Sequence, residues 1–190
     1  GVSSETEFGF GGEIIKDLSG KPTGVFNERA QGLISEKVEN NLGEESDLRA
    51  IELAVKASLE NGVTSFHDAG IGRRTIEVLR EAINKDILKV RIYAMLTSRD
   101  TTLLNEWYKK GPEIGTGGDL LKIRSIKINA DGALGSRGAW LIDEYSDRPG
   151  HYGMPTQSMD YVYSVAKQGI KTGFQVNSHA IGDKANREIL

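Results

Sequence analysis

Two hydrophobic periods alternate along most of the chain. Leu48, Ile51, Ala54, Val55 and Leu59 recur at helical spacing, with Asp47 placed as an N-cap and Gly62 where a helix-terminating glycine belongs. A short apolar run over 63–66 then predicts a strand that ends in His67-Asp68-Ala69-Gly70. Ile76, Leu79 and Ile83 predict a helix over 74–84, and a strand follows over 90–96. Asp100 can cap a helix through Lys110, where Gly111-Pro112 stops it. A third strand over 123–130 opens into a glycine-rich stretch, 131–138. After a long loop to about Pro155, Ser158 caps a helix that reaches Gln168-Gly169. The fourth strand covers 174–180, and another helix starts near Asp183. Residues 1–45 lack this regularity and read as mostly loop, with a short helix over 28–33.

Helices alternating with strands over residues 46–190 predict an α/β fold with a parallel sheet, because parallel strands need crossover helices. Four strands leave an open doubly wound sheet or part of a barrel. A complete (β/α)₈ barrel typically takes ~250 residues. The 190 residues here are too few for a whole one.

Composition narrows the partners more than the chemistry. With 24 Lys+Arg against 27 Asp+Glu and a pI near 5.7, nothing favours nucleic acid or acidic lipid. No apolar run approaches the ~20 residues of a membrane span, and the expected location is the cytoplasm. The chain starts at Gly1 instead of methionine, which suggests a processed or excised piece. The absence of cysteine removes disulfides, thiolate metal sites and Cys nucleophiles together. Any metal must therefore be held by carboxylate, modified lysine, or one of His67, His151 and His179.

In parallel α/β folds functional groups gather where strands end. Alternation places Ile126 and Ile128 on one face of the third strand and Ser125, Lys127 and Asn129 on the other. A lysine within a parallel strand needs a reason. It either salt-bridges a carboxylate or snorkels out of the sheet, or it is a lysine whose burial lowers its pKa for base, Schiff-base or carbamate chemistry. Gln175, Asn177 and His179 share a face of the fourth strand, so His179 reads as a metal ligand or base, or as a hydrogen-bonded structural residue. His67 and Asp68 read as a ligand or proton-transfer pair, or as a hydrogen-bonded scaffold. His151 reads as a surface loop residue, and Asp183 as the N-cap of the last helix. The run Gly132-Ala133-Leu134-Gly135-Ser136-Arg137-Gly138 matches neither the dinucleotide fingerprint nor the P-loop. A mobile active-site loop that needs small residues suits it better than a phosphate cradle.

Three stretches together resemble successive blocks of the YtcJ-like metal-dependent amidohydrolases, a family that includes the N-substituted formamide deformylases. They are Val63-Thr64-Ser65-Phe66-His67-Asp68-Ala69-Gly70, the run from Ile126-Lys127-Ile128-Asn129-Ala130-Asp131 through Gly132-Ala133-Leu134-Gly135-Ser136-Arg137, and His179-Ala180-Ile181-Gly182-Asp183. Ser19-Gly20-Lys21-Pro22-Thr23-Gly24 and Tyr145-Ser146-Asp147-Arg148-Pro149-Gly150 are similar to two further family segments. The resemblance implies part of a TIM (β/α)₈ amidohydrolase barrel, about its strands two to five, over 46–190, with residues 1–45 an irregular insertion before the second strand. It implies a divalent metal, zinc by expectation, held by Lys127 in carbamylated form and by His179. His67, Asp68, Asp131 and Arg137 would line the site.

The implied chemistry is hydrolysis of a C–N bond in a small-molecule, amide-like, non-peptide substrate by metal-activated water. The family's His-x-His would lie before Gly1, and its last histidine and aspartate after Leu190. The isolated chain is therefore expected to be inactive. Two other classes compete: a stand-alone, non-catalytic α/β half-barrel that forms homo-oligomers through its open edges, and a Schiff-base enzyme using Lys127.

Overall fold

The computed structural model describes residues 1–39 and 43–190. The chain divides into two compact units. One comprises Gly1–Asn41, Asn129–Val162 and Ser178–Leu190, the other Leu42–Ile128 and Tyr163–Asn177.

The first unit opens with a structure the hydrophobic pattern does not announce. Strands β1 (Gly12–Lys16) and β2 (Pro22–Glu28) form an antiparallel hairpin, and a 3₁₀ turn (Arg29–Gln31) leads into α1 (Gly32–Glu39). The expected loop is thus replaced by two strands, while the short helix expected over 28–33 is found as the 3₁₀ turn at Arg29–Gln31 and the start of α1, which runs on to Glu39. The reason is local. Asp17 Oδ1 accepts from the backbone N–H groups of Ser19 (2.9 Å) and Lys21 (3.0 Å), closing a hairpin turn in a segment read only as punctuation. Glu13-Ile14-Ile15-Lys16 lacks the alternation that marks a strand, and only Ile14 of β1 is buried.

The second unit follows the predicted alternation closely. Its elements are α2 (Glu44–Glu60), β3 (Ser65–Ile71), α3 (Arg73–Asn84), β4 (Arg91–Thr97), α4 (Thr101–Lys110), β5 (Glu113–Gly115), the short turn α5 (Thr116–Asp119) and β6 (Leu121–Asn129). Then come α6 (Met159–Lys171) and β7 (Gln175–His179), and α7 (Asp183–Ile189) closes the chain. The sheet order is β3-β4-β6-β5, and β7 also pairs with β6. Strands β3, β4 and β6 run parallel, as the alternation requires, while the unpredicted β5 meets β6 antiparallel. The α/β class with a mostly parallel sheet is therefore as expected.

Of the caps of α4 and α2, one is as expected and one is not. Asp100 caps α4 as predicted, accepting the Leu103 N–H at 2.9 Å. Helix α2 instead starts at Glu44 after an extended Gly43, so Asp47 lies within the first turn. There its charge, with Glu44 and Glu45, still complements the positive end of the helix.

Registration fixes which residues share a face. Ala94 pairs with Ile123 and Leu96 with Ile126, so these four point the same way. All four are fully buried, and Leu103, Leu104 and Trp107 of α4 and Ile76, Leu79 and Ala82 of α3 are buried too. A Cβ on Gly169 of α6 would stand 3.0 Å from Ile126 Cδ1 and 3.2 Å from Val176 Cγ2, so this helix lies tight on the same face. Each such aliphatic side chain contributes about 1.5–3 kcal/mol when fully buried. Arg124 is an extra residue in β6, a bulge placed before the stretch where the 125–129 alternation begins.

Glu113 ties three elements of this unit together. Burial works against its charge, but Lys110 Nζ, Thr116 Oγ1 (2.7 Å) and Arg80 Nη2 (2.7 Å) bind the carboxylate and carry its pKa down to about 2. A depressed carboxyl pKa stabilises the fold above the unfolded value near 4.5 and loses that contribution as pH falls toward 2. Glu113→Gln should therefore be less stable than the parent chain at pH 7, with the gap closing on acidification. Urea melts of both proteins between pH 7 and pH 2.5 check this.

Candidate active site

The face of the second unit's sheet away from α3, α4 and α6 is polar. His67 pairs in register with Tyr93, Met95 with Ser125, and Thr97 with Lys127, so all six side chains share it. The His67 and Tyr93 rings lie 4.8 Å apart with planes tilted 40°. Tyr93 donates its hydroxyl to Gln175 Oε1 at 2.7 Å, Gln175 Nε2 reaches Asn177 Oδ1 at 3.2 Å, and Asn177 Nδ2 reaches Met95 Sδ at 3.5 Å. Gln175 and Asn177 thus line one face of β7.

Lys127 lies at the C-terminal end of β6 on this polar face, half-buried, with its Cγ leaning to 3.9 Å from where a Gly70 Cβ would be. Loss of hydration lowers its pKa, and no carboxylate offsets that among the described residues. The salt-bridge explanation for a strand lysine therefore has no partner here. Two residues earlier, the Ser125 hydroxyl is fully buried and makes no hydrogen bond. Asp68 lies on the opposite, helix-covered face, in register with Ala94. Partial burial raises its pKa. Consecutive strand residues diverge, so His67 and Asp68 do not form a pair.

The first unit holds the other predicted residues. Asp131 is fully buried, and its carboxylate accepts from the backbone N–H groups of Trp140 (2.8 Å), Ile181 (2.9 Å) and Gly182 (2.7 Å). Its Oδ1 also stands 3.8 Å from Nε2 of His179, a half-buried ring at the end of β7. Asp183 is not the cap of α7, a place Gly182 takes. Its Oδ1 accepts instead from Ile142 N–H at 2.9 Å and Lys184 N–H at 2.8 Å. Arg137 forms a two-point pair with Asp147, Nε to Oδ1 at 3.1 Å and Nη2 to Oδ2 at 2.8 Å. His151 is not a free surface residue. It is half-buried, with Nε2 at 2.9 Å from the Arg137 carbonyl and its ring 5.7 Å from that of Tyr145.

Sequence reasoning missed Glu28 and Glu13. Glu13 makes a two-point pair with Arg148 (2.7 and 3.1 Å), which holds its carboxyl below the usual range against the opposing effect of burial. Glu28 inserts its carboxylate into the glycine-rich loop: a Cβ on Gly132 would stand 2.0 Å from Oε1, and one on Gly138 2.3 Å from the same atom. These two glycines are small because a carboxylate occupies the space, not because a phosphate approaches. No motif marks Glu28, since its partners lie more than 100 residues away in sequence.

No group of three or more His, Asp or Glu side chains that could hold a metal is present among the described residues. No helix among them is long and apolar enough to cross a membrane.

Polar groups at strand ends of a mostly parallel sheet, with helices on the opposite face, are the layout of an α/β enzyme scaffold. The chain belongs to the amidohydrolase family, whose sequence profile matches residues 1–190. It is 32% identical over its whole length to the protein LONG AFTER FAR-RED 3 of Arabidopsis thaliana, covering 34% of that protein. To the putative amidohydrolase YtcJ of Bacillus subtilis (strain 168) it is 29% identical over its whole length, covering 36% of it. Over 43% of the chain it is 36% identical to the N-substituted formamide deformylase of Arthrobacter pascens, of which it covers 16%. Among solved structures, an uncharacterized metal-dependent hydrolase from Pyrococcus horikoshii OT3 matches 91% of the chain with TM-score 0.72 and 26% identity, over 35% of that protein. A second from Pyrococcus furiosus matches 86% with TM-score 0.71 and 30% identity, over 34% of that protein. The chain thus spans about a third of the length of LONG AFTER FAR-RED 3, YtcJ and the two solved hydrolases, and the YtcJ-like resemblance is borne out.

The Asp131 network is testable apart from any activity. Asn in its place offers one carbonyl oxygen and an NH₂ group to three N–H donors, so at least one buried donor loses its acceptor. Asp131→Asn should lower stability by about 1–3 kcal/mol, and Asp131→Ala by more. Equilibrium urea unfolding measures both.

Proposed function

We propose that the chain is the central portion of a cytoplasmic, metal-dependent hydrolase that cleaves C–N bonds of small amide-like, non-peptide substrates. Family membership supports the reaction class. The observation that carries the site is Lys127, a strand-end lysine with lowered pKa and no counter-charge, on a polar sheet face. In this reading β3, β4, β6 and β7 are strands two to five of a (β/α)₈ barrel, and the hairpin region, residues 1–45, is an insertion before them.

In this reading Lys127 and His179 are each one member of a larger ligand set, as the family resemblance implies. A lysine that readily loses its proton can take up carbon dioxide as a carbamate, turning a cation into an oxygen donor. Its stem, fixed in β6, then aims that donor from the strand end. His179 offers a neutral imidazole, with the buried Asp131 carboxylate nearby to orient the ring. A divalent cation held there, zinc by preference, supplies Lewis-acid activation of water for attack on an amide-like carbonyl. Two protein ligands fall short of the usual three, so the 190 residues alone are inactive and the remaining ligands come from flanking polypeptide. His67 and Ser125 line the polar face beside Lys127.

The test uses the longest natural polypeptide that carries this chain, assayed first on N-substituted formamides, the substrates named for the Arthrobacter pascens relative. Lys127→Ala and His179→Ala should each cut bound metal, by elemental analysis, and lower kcat/KM at least 100-fold. A short-chain carboxylic acid added to Lys127→Ala should restore part of the activity. Full activity and metal content in unrescued Lys127→Ala would remove this lysine from the site. A polypeptide that ends at these 190 residues and dimerises without hydrolysing anything would favour the self-associating half-barrel, with the unpaired edge of β3 as its joining surface.

A further inference from the structure

Glu28 occupies a conformation that L-residues avoid. Its φ of 50° and ψ of −126° fall where glycine alone is comfortable, at a cost on the order of 1–3 kcal/mol. The cost is tolerated at the hinge between β2 and the following 3₁₀ turn, where glycine would be free of it. What the side chain gains is a seat inside the loop 132–138. Its Oε1 accepts from Ala133 N–H at 3.3 Å and Ser136 Oγ at 3.4 Å, while Asn27 Nδ2, one residue earlier, donates to the Ser136 carbonyl at 3.2 Å.

The loop is closed on itself around that carboxylate. Gly132 N–H reaches the Gly138 carbonyl at 3.1 Å, and the N–H groups of Gly138 and Ala139 reach the Ala133 carbonyl at 2.9 and 3.2 Å. Its two flanks are Asp131 and Trp140, which the Asp131 carboxylate joins directly. The same carboxylate faces His179. Glu28 therefore fills the closed loop against two of its three glycines, Gly132 and Gly138, and the flanks of that loop carry the group that stands against the histidine.

We propose that Glu28 is a positioning residue: by filling the glycine loop 132–138 it holds Asp131 in place against His179. This rests on the proposed role of His179, and the test is arranged to separate the two. Glu28→Ala and Glu28→Gly both remove the grip, whereas Glu28→Gln keeps an oxygen acceptor for Ala133 N–H and Ser136 Oγ. Glu28→Gly also relieves the backbone strain, so it should unfold at a higher temperature than Glu28→Ala.

In the longest natural polypeptide, hydrogen exchange at the Ala133, Gly138 and Ala139 amides should quicken in the Ala and Gly variants and stay slow in the Gln variant. The ring ¹⁵N signals of His179 should shift in the first two and hold in the third. With the hydrolytic substrate, kcat should fall on the order of 10- to 100-fold for Ala and Gly, with KM little changed, and recover in Gln. Unchanged exchange and unchanged His179 signals in a folded Glu28→Gly would overturn the proposal. An equal loss in Gln and Ala would do so too, because it would make the charge, not the grip, the working feature. If the unaltered polypeptide binds no metal and hydrolyses nothing, the functional reading fails, and exchange with the His179 signals still decides the role of Glu28.

Discussion

The loops of the first unit are organised by a single buried charge. Removing a carboxylate from water costs several kcal/mol unless hydrogen bonds replace its hydration. Asp131 has three such bonds, all from backbone N–H groups, and hydrogen bonds to a charged group contribute about 1.5–3 kcal/mol each. Because the donors belong to Trp140, Ile181 and Gly182, satisfying the charge ties two segments of this unit to residue 131. The start of α7, the path of the 139–142 loop and the surroundings of His179 all follow. Asp183, one residue into α7, adds a second tie to the 139–142 loop through Ile142.

Local patterns reveal elements whose causes are local. The helices α3 and α4, the strand β4 and the Asp100 cap follow from period and capping chemistry within a dozen residues. The face assignment of Lys127 was legible because the β6 bulge falls at Arg124, upstream of the alternating stretch. Had the extra residue followed Lys127's neighbours, every side chain beyond it would have changed face. What was not legible depends on distant partners. Asp131 read as a site-lining acid and Asp183 as a capping one, yet each binds backbone groups up to 51 residues away. The pairing of Arg137 with Asp147 and the bond from His151 to the Arg137 carbonyl, which together shape the 137–151 loop, were not legible either. The pairing suggested for His67 and Asp68 failed for an elementary reason, since neighbours on a strand point apart.

The polar sheet face of the second unit carries the functional argument furthest. Parallel sheets are normally covered on both sides, and here α3, α4 and α6 supply one cover. The opposite face could in principle lie under a second apolar layer. Its chemistry opposes that. Tyr93, Gln175 and Asn177 satisfy one another in a chain of hydrogen bonds, but Lys127 Nζ and Ser125 Oγ find no partner among the described residues. An apolar cover would strand a cation and a hydroxyl, at a cost of several kcal/mol for the cation alone. A cover that admits water or a ligand strands neither. The lowered lysine pKa points the same way, because a neutral amine is both cheaper to enclose and reactive toward electrophiles. The same partial enclosure that makes Lys127 costly to the fold is therefore what equips it for chemistry.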